Sequence, residues 1–338
     1  MLSILVALRK YLRIIIFFLL ICCQQKKTND LKVINGYALG TSYSVTYLSK
    51  SLETYILTTH IDSIFTIINK SMSTYEVDSD ISKINRGDSL LQVDVHFQNV
   101  YNASSIIWKK TDGYFDPTVG ALVNAYGFGP EKKIKSISKS ERDEILKYTG
   151  WNKTSLTMNN TIQKKDPNIY LDFNALAKGY TVDQINLYFE KAGSKNHLID
   201  IGGELISRGK NLETKKLWSV GIEKPSESTL PRKIFDIIEL NNQALATSGN
   251  YRKYRIDKET KQKYVHSINP LNGRPARSNI LSVSVKALDC MTADAYATAL
   301  MVMPLNMGKK LINKTPDVDA LWIISESQNF VSHSSKNW

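Results

Sequence analysis

Two oxygen-bearing side chains, Asp294 and Thr298, lie four residues apart in an otherwise small and mostly apolar segment, residues 290–300. Its alternating alanines favour a helix, and residues four apart on a helix project from the same face. One carboxylate and one hydroxyl directed at the same point suit a hard cation such as Mg²⁺. The alternative is that Asp294 is a first-turn acid stabilised by the helix dipole, while the Thr298 hydroxyl bonds back to its own helix.

Several loops combine residue types that suit a charged, planar ligand. Residues 111–130 join aromatic side chains and an acid to glycines and prolines, so this segment is suited to wrapping a planar ring and aiming one carboxylate. Residues 172–179 form a predicted helix start, where free amides and Lys178 attract phosphate. The alternative there is an Asx cap followed by a solvated lysine. Residues 200–204 and 246–250 are predicted as tight turns.

The elements that must position these residues are helices and strands without regular alternation, which predicts the α+β class. Helical spacing of apolar residues predicts helices over residues 56–68, 97–108, 138–150 and 175–192, besides the one carrying Asp294. The capping pair Ser138 and Glu141 marks the start of the third. Strand composition predicts strands over residues 37–48, 197–201, 218–223, 234–240, 264–268, 280–287 and 320–325.

The N-terminus has the layout of an export signal. Three basic residues precede a short apolar run, residues 14–21, which is too brief to span a bilayer comfortably. The following Leu20-Ile-Cys-Cys23 resembles the lipobox of bacterial lipoproteins, with Cys23 as the residue that is acylated, for example by palmitate. Cys22 stands where such signals usually have Gly, Ala or Ser, so Cys22 is the alternative site.

These features predict three regions: a signal peptide at residues 1–22, a tether at 23–32 and one compact domain at 33–338. The sequence has no internal repeat and no long low-complexity linker that would divide the last region. The alternative to a cleaved signal is an uncleaved N-terminal anchor. Both place the domain outside the cytoplasm and beside a membrane.

The net charge of the chain indicates which classes of ligand to expect. The formal net charge of +12 becomes +9 when the three basic residues of the acid-free segment 1–22 are removed. A basic surface suits an anionic membrane or a phosphorylated ligand, whereas no nucleic-acid motif interleaves these charges with stacking aromatics.

If Cys22 is removed with the signal peptide and Cys23 is acylated, Cys290 remains as a lone thiol without a cationic neighbour in sequence. We predict a buried structural cysteine there, the alternative being a nucleophile.

Nine segments, taken in chain order, resemble the ApbE family, the FAD:protein FMN transferases. The resemblance runs from about residue 33 to 325, and its specificity comes from the order of the segments because each alone is weak. The segments are Gly40-Thr-Ser-Tyr-Ser, Met72-Ser-Thr-Tyr75 with Asp80-Ile-Ser-Lys-Ile-Asn85, Gly113-Tyr-Phe-Asp-Pro-Thr-Val-Gly120, Gly127-Phe-Gly-Pro130, Asp172 to Gly179, Ile201-Gly-Gly-Glu204 with Arg208-Gly-Lys210, Ala244-Leu-Ala-Thr-Ser-Gly249, His266-Ser-Ile-Asn-Pro270 with Gly273-Arg-Pro275, and Met291 to Thr298.

The resemblance implies an enzyme that binds FAD and, with Mg²⁺, splits its pyrophosphate. The FMN half is transferred through a phosphoester to a Thr or Ser of another protein, and AMP is released. A divalent cation suits this reaction because it neutralises phosphate charge and orients the phosphorus for in-line attack. By resemblance, the cation is held by Asp294, Thr298 and the backbone carbonyl of Ala175. The implied fold is one compact ApbE-like, T-fold-like domain with mixed or antiparallel sheets and flanking helices.

The resemblance also implies which residues contact FAD. The ring of Tyr75 is suited to stacking on a planar heteroaromatic group. The cofactor-binding positions are Leu39 and Tyr75, which line the ligand, Tyr114, Phe115 and Asp116 in the bordering turn, Asp172 and Lys178 as polar contacts, and Ile268.

His266 is the candidate for proton handling and, with Asp294, makes up the predicted catalytic set. An acceptor hydroxyl attacks phosphorus more readily when a base takes its proton, and imidazole titrates near neutral pH. The alternative is that His266 only hydrogen-bonds a phosphate or the backbone. The other histidines, for which structural or surface roles suffice, are His60, His96, His197 and His333.

Together these inferences predict a lipid-anchored flavin transferase facing the periplasm at the outer face of the cytoplasmic membrane. The expected partners are FAD and exported or membrane acceptor proteins, such as flavin-carrying subunits of redox complexes with a Ser/Thr acceptor motif. Nucleic acid is not expected. Two other functions would use the same residues: an Mg²⁺-dependent FAD pyrophosphatase that releases FMN and AMP, and a non-catalytic FAD-binding lipoprotein.

Overall fold

The computed structural model describes residues 31–48, 53–130, 137–226, 233–251, 254–256, 263–276, 278–327 and 329–338. Residues 31–338 form one compact unit. The predicted signal peptide and both candidate lipidation sites, Cys22 and Cys23, lie outside the described residues. Among the helices of the described part, none has the length and apolar character needed to cross a membrane.

Eight α-helices lie in the described part of the chain. They are α1 Thr54–Met72, α2 Asp80–Asn85, α3 Val95–Lys110, α4 Gly120–Ala125, α5 Lys139–Tyr148, α6 Ala177–Lys191, α7 Cys290–Val302 and α8 Leu305–Ile312. Side-chain caps explain several starts, because a cap oxygen satisfies a backbone N–H that has no partner within the helix. Asp94 caps α3, and Ser138 and Glu141 form the predicted capping box of α5.

A central antiparallel sheet of eight strands organises the domain, in the order β1-β2-β5-β6-β9-β14-β15-β16. The strands of this sheet are β1 Leu31–Ala38, β2 Thr41–Leu48, β5 His197–Ile201, β6 Glu204–Arg208, β9 Ala244–Gly249, β14 Ile280–Ala287, β15 Asp319–Glu326 and β16 Asn329–Ser334. Four two-stranded pairings complete the described strands: β3 Thr154–Leu156 with β4 Ile162–Lys164, β7 Trp218–Glu223 with β8 Ile234–Leu240, β10 Tyr254–Ile256 with β11 Lys263–Val265, and β12 Ile268–Asn269 with β13 Arg274–Pro275.

The central sheet is covered on both faces, which explains why most of its strands are rich in apolar residues. Helices α1, α6 and α7 pack on one face, where side chains such as Val45, Ile199 and Val285 are fully buried. The β7–β8 hairpin and Trp338 cover part of the other face through Leu205 and neighbouring side chains. The α+β class and antiparallel sheet with flanking helices are therefore confirmed.

Four predicted strands, residues 197–201, 218–223, 234–240 and 280–287, have the predicted bounds. The segment predicted as one strand over 37–48 contains the end of β1, a turn and β2, because Leu39 and Gly40 both adopt positive φ and turn the chain. Leu31 and Lys32, assigned from sequence to the tether, pair with β2 in this hairpin. The strand predicted over 264–268 is divided into β11 and β12 at His266.

Two segments predicted as tight turns are wholly or partly strands. Residues 246–249 belong to β9, which pairs with β14 and β6, and only the residue that follows leaves the sheet. Glu204 begins β6 directly after the Gly202-Gly203 turn. The small residues of β9 hide its strand character in sequence because alanine and glycine have weak strand propensity. Their small size suits a strand whose inner face packs closely against α7.

Candidate active site

The start of α6 and the start of α7 approach each other at Gly179. A Cβ on this residue would lie 2.7 Å from the carbonyl carbon of Cys290 and 2.8 Å from Cα of Met291, so only glycine fits without displacement. The Gly179 N–H donates a 3.1 Å hydrogen bond to Oδ2 of Asp294. The segment 172–179 and the Asp294 helix therefore meet at one place, as the family resemblance implies.

A buried ion pair lies at the same junction. The Lys178 ammonium is 2.5 Å from Oε2 of Glu204, whose side chain is 4% exposed, while a third of the Lys178 side chain is exposed. Burial lowers the pKa of Lys178, but the charges of Glu204 and then Asp294 outweigh it and raise this pKa above its usual value. Lys178 is therefore a cation paired with Glu204, and the alternative of a solvated lysine is wrong.

Asp294 lies in surroundings that disfavour its charged form. It is 4% exposed, and burial followed by the charge of Glu204 raises its pKa to about 8, against the opposing effects of Lys178 and the Gly179 N–H. A nearby cation favours the ionised form of a carboxylate. The electrostatics of the junction therefore suit the binding of additional positive charge at Asp294.

The three predicted cation ligands are oxygen donors of different kinds. Thr298 lies one turn after Asp294 on α7, and its Oγ1 is 3.4 Å from Oγ of Ser248 at the end of β9. No described residue donates a hydrogen bond to the carbonyl of Ala175, because Gly179, its usual helical partner, donates to Asp294 instead. A carboxylate, a hydroxyl and a free carbonyl fit the oxygen preference of Mg²⁺.

Metal sites of a different kind are absent from the described part of the chain, which has no cluster of three or more His, Cys, Asp or Glu side chains able to hold an ion. The predicted set does not belong to that class, since it has one carboxylate. The ligand set of Ala175, Asp294 and Thr298 stays a prediction.

Two further carboxylates fix the start of α7. Asp289 is the N-cap residue and accepts a first-turn backbone N–H at 2.7 Å. Asp183, on α6, accepts the backbone N–H groups of Cys290 at 2.7 Å and Met291 at 2.9 Å. Burial and then the charge of Asp289 raise the pKa of Asp183 to about 7. Since α7 begins at Cys290, Asp294 lies beyond its first turn, and the alternative interpretation as a first-turn acid is wrong.

Asp172 connects the helix start to two neighbouring loops. Its Oδ1 accepts the N–H of Asn174 at 2.8 Å, and its own N–H donates to the carbonyl of Pro117 at 2.8 Å. The bond to Asn174 makes Asp172 the first residue of an Asx turn rather than the helix cap considered from sequence, since α6 begins after Leu176 without a side-chain cap. Tyr75 is 62% exposed, and burial and then the charge of Asp172 raise the pKa of Tyr75.

The turn at residues 114–116 has its side chains mostly directed inward. Asp116 is 7% exposed, and its oxygens accept hydrogen bonds from both the N–H and hydroxyl of Thr118 and from the N–H of Trp151 at 2.9 Å. Phe115 is buried in the core beside α3, and Tyr114 is partly buried against the cluster around α7. These hydrogen bonds to the Asp116 carboxylate stabilise the loop. Contact of this turn with FAD stays a prediction.

His266 lies between β11 and β12, where its ring centroid is 6.4 Å from that of Phe128. The residue after it, Ser267, donates a 2.7 Å hydrogen bond to Oδ1 of Asn250, which directly follows β9. Ile268 is 6% exposed and begins β12. The end of β9 thus contacts both the His266 segment and, through its serine, the Thr298 face of α7.

Leu39 lies in the turn of the β1–β2 hairpin with φ of 51° and packs against the core cluster that includes Cys290. The backbone N–H of Gly202 donates to the carbonyl of Ser42 at 3.1 Å, which holds this hairpin beside the turn that precedes Glu204. The predicted FAD contacts Leu39 and Lys178 therefore lie on elements anchored to neighbouring parts of the sheet.

Cys290 and His197 are both buried residues with structural roles. Cys290 is fully buried, and burial followed by nearby carboxylates raises its pKa well above the usual value, which agrees with the prediction of a structural thiol. His197 is fully buried between Asn186 at 2.9 Å and Ser194 at 3.1 Å, and burial lowers its pKa to about 4. The remaining histidines lie on regular elements: His60 on α1, His96 on α3 and His333 on β16.

Three residues outside the predicted site set contact a predicted site residue or the start of its helix: Glu204, Asp183 and Ser248. In the sequence, only the two preceding glycines single out Glu204, because they indicate a turn that would fix the position of its side chain. Asp183 follows Lys178 by five residues and lies on a different side of α6. Its partners are 107 and 108 positions away in the chain, so spacing alone could not reveal it.

Comparison with known proteins agrees with the family resemblance of the sequence. The model of the ApbE family matches residues 39–322. An FAD:protein FMN transferase of Haemophilus influenzae is 34% identical over 312 residues, covering 89% of both chains, and one of Vibrio cholerae is 33% identical over 310 residues, covering 90% of this chain and 91% of the relative.

Solved structures give the same result. The flavin transferase ApbE from Vibrio cholerae has a TM-score of 0.81 and 32% identity, covering 91% of this chain and 98% of that one. The apo form of the Pseudomonas stutzeri flavinyl transferase ApbE also has a TM-score of 0.81, at 28% identity, covering 91% of this chain and 95% of that one. With the family model matched over most of its length, this chain belongs to the ApbE family.

Proposed function

We propose that this protein is a flavin transferase that cleaves FAD and attaches FMN through a phosphoester to a Thr or Ser of another protein, releasing AMP. The observation that carries the proposal is the α6–α7 junction, where Asp294 accepts the N–H of Gly179 and the carbonyl of Ala175, four residues earlier, accepts no hydrogen bond from a described residue. The names of the relatives support the same activity, since those from Haemophilus influenzae and Vibrio cholerae are FAD:protein FMN transferases.

The junction suits a pyrophosphate. The positive end of the α6 dipole and the Lys178 ammonium favour negative charge, although the N–H groups of Ala177 and Gly179, expected from sequence to be free, are bonded within the protein. Tyr75 offers an exposed ring for the flavin or adenine. Asp294, Thr298 and the Ala175 carbonyl would hold Mg²⁺, which neutralises phosphate charge and polarises the reacting phosphorus. These features support FAD as the substrate and Mg²⁺ as the cation.

Transfer balances as a substitution at the phosphorus of the FMN half. The acceptor hydroxyl oxygen forms the new P–O bond, the bridging P–O bond of the pyrophosphate breaks, and the AMP phosphate takes that bonding pair. His266 would accept the hydroxyl proton, because it lies in the segment tied to the end of β9 near Thr298. Without an acceptor, water in the same position would give hydrolysis to FMN and AMP.

We further propose that the enzyme works outside the cytoplasm, anchored by a lipid on Cys23 to the cytoplasmic membrane. The support is the basic, apolar and cysteine-containing order of residues 9–23. The acceptors would be exported proteins or membrane redox subunits with a Ser/Thr motif. Labelling cells with a clickable palmitate analogue should mark the wild type and leave Cys23→Ala unlabelled. Labelling that persists in Cys23→Ala but disappears in Cys22→Ala would move the anchor by one residue.

The activity is tested by incubating the protein with FAD, Mg²⁺ and an acceptor domain and then measuring intact masses and free nucleotides. Transfer predicts AMP release and an acceptor heavier by one FMN less one water. The matched control is the same acceptor with its Ser or Thr replaced by alanine, which should stay unmodified. Free FMN with an unmodified acceptor would establish hydrolysis instead, and intact FAD would leave a binding protein.

A further inference from the structure

Two cations can compete for the carboxylate of Asp294 at the α6–α7 junction: the Lys178 ammonium and the predicted divalent cation. Lys178 and Gly179 are adjacent in the chain, and Gly179 contacts Asp294 directly. Lys178 carries its ammonium group on a long, flexible side chain that can pair with a nearby carboxylate. An ammonium bound to Asp294 would neutralise the carboxylate that a divalent cation needs, so the two cations compete for one ligand.

In the structure, Lys178 pairs with Glu204 and not with Asp294. The Lys178 ammonium lies 2.5 Å from Glu204, while Asp294 forms no ion pair within the described residues and accepts its hydrogen bond from a backbone N–H. The carboxylate of Asp294 is therefore left to bind another cation.

The position of Glu204 is fixed by the backbone around it. It is 3% exposed and begins β6, where it pairs with Ile201 across the hairpin. The preceding Gly202 and Gly203 have φ of 67° and 105°, and the hairpin turn that they form is bonded to β2 through Gly202. A short side chain on a rigid strand thus holds the end of a long and flexible one.

We propose that Glu204 is a positioning residue that holds Lys178 away from Asp294 and thereby keeps Asp294 available to the divalent cation. The inference rests on the proposed metal site, and it assigns to Glu204 a role in metal binding without direct contact with the metal. Lys178 would remain beside the cation, where its ammonium can meet a phosphate oxygen of the substrate.

The test measures binding of Mn²⁺ to the purified protein by electron paramagnetic resonance, with Mg²⁺ as competitor and without FAD. Glu204→Gln should weaken Mn²⁺ binding about tenfold or more, because a released ammonium near Asp294 opposes the ion at the effective dielectric of about 20 found near protein surfaces. Adding Lys178→Met to Glu204→Gln should restore affinity to within about threefold of the wild type, since the competitor is gone. Lys178→Met alone should bind Mn²⁺ at least as tightly as the wild type.

The matched control is Glu190→Gln, which removes the same charge from the Arg208–Glu190 ion pair at the other end of β6 and should leave Mn²⁺ affinity unchanged. Thermal unfolding of each variant shows whether it is folded. Unchanged affinity in Glu204→Gln, or a double variant as weak as the single one, would overturn the role of Glu204 and leave the metal site standing. Absence of competitive Mn²⁺ binding in the wild type would overturn the metal site and this inference together.

Discussion

Replacing Gly179 with alanine tests whether the close approach of α6 and α7 builds the site. The added Cβ would lie 2.7 Å from the carbonyl carbon of Cys290 and closer still to its oxygen, and ordinary contact begins near 3.4 Å, so the two backbones must separate by more than about 0.7 Å. Both contacts are backbone atoms and cannot rotate away. The same movement stretches the 3.1 Å bond from Gly179 to Asp294.

The cost of Gly179→Ala can be estimated for stability and for catalysis. Overpacking in a well-packed interior typically costs about 1–3 kcal/mol of unfolding free energy. A misplacement of about 1 Å can cost on the order of 100-fold in rate, so we expect FMN transfer to slow by about 10- to 100-fold. The assays are urea unfolding and the single-turnover rate of acceptor labelling at saturating FAD and Mg²⁺.

Gly308→Ala is the matched control for this prediction. Gly308 also packs against α7, but its added Cβ would approach the end of the Leu300 side chain at 2.9 Å and the Trp322 ring at 3.3 Å, contacts that a side chain can relieve. It should therefore transfer FMN at nearly the wild-type rate. Wild-type stability and transfer in Gly179→Ala would refute the reasoning that the close backbone approach positions Asp294.

Three further predictions follow from individual side chains. The pKa of His197, about 4 in the fold, lies below its ordinary unfolded value, so unfolding free energy should fall by up to about 3 kcal/mol as pH drops from about 6.5 towards 4; a His197→Asn variant with the wild-type pH profile in urea unfolding would contradict this. Asp183→Ala removes the acceptor of two α7 N–H groups and should cost about 1–3 kcal/mol and slow transfer, whereas Asp183→Asn should recover part of both; equal losses in the two variants would count against a capping role. His266→Gln should slow transfer about 100-fold or more at neutral pH without weakening FAD binding, and wild-type transfer rates would exclude His266 as the base.

The fold elements that sequence could predict are those whose own residues determine them. The strand over 280–287 has a buried apolar pattern, and the Ser138–Glu141 capping box is local, so both have the expected form. The strand β9 was not predictable in the same way, because its two alanines, serine and glycine acquire strand geometry only from pairing with β6 and β14.

The site shows the same division between local and distant information. Residue types and spacing place Asp294 and Thr298 on one helix, and the family resemblance brings residues 172–179 to it. The pairing of Lys178 with Glu204 depends on sheet topology that no local pattern encodes. Spacing also does not reveal that the N–H of Trp151 donates to Asp116 across 35 residues, and the predicted contact of Asp116 with FAD stays a prediction.

Cation-dependent flavin transfer at Asp294 is tested most directly by the intact mass of an acceptor domain incubated with FAD, Mg²⁺ and either wild-type protein or Asp294→Asn. Asparagine keeps an acceptor for the Gly179 N–H but removes the carboxylate that would bind the cation. The wild type should add one FMN less one water to the acceptor, and Asp294→Asn should add none over the same time while unfolding at a similar temperature. Flavin transfer by Asp294→Asn at the wild-type rate and with the same Mg²⁺ dependence would contradict a catalytic site at this residue.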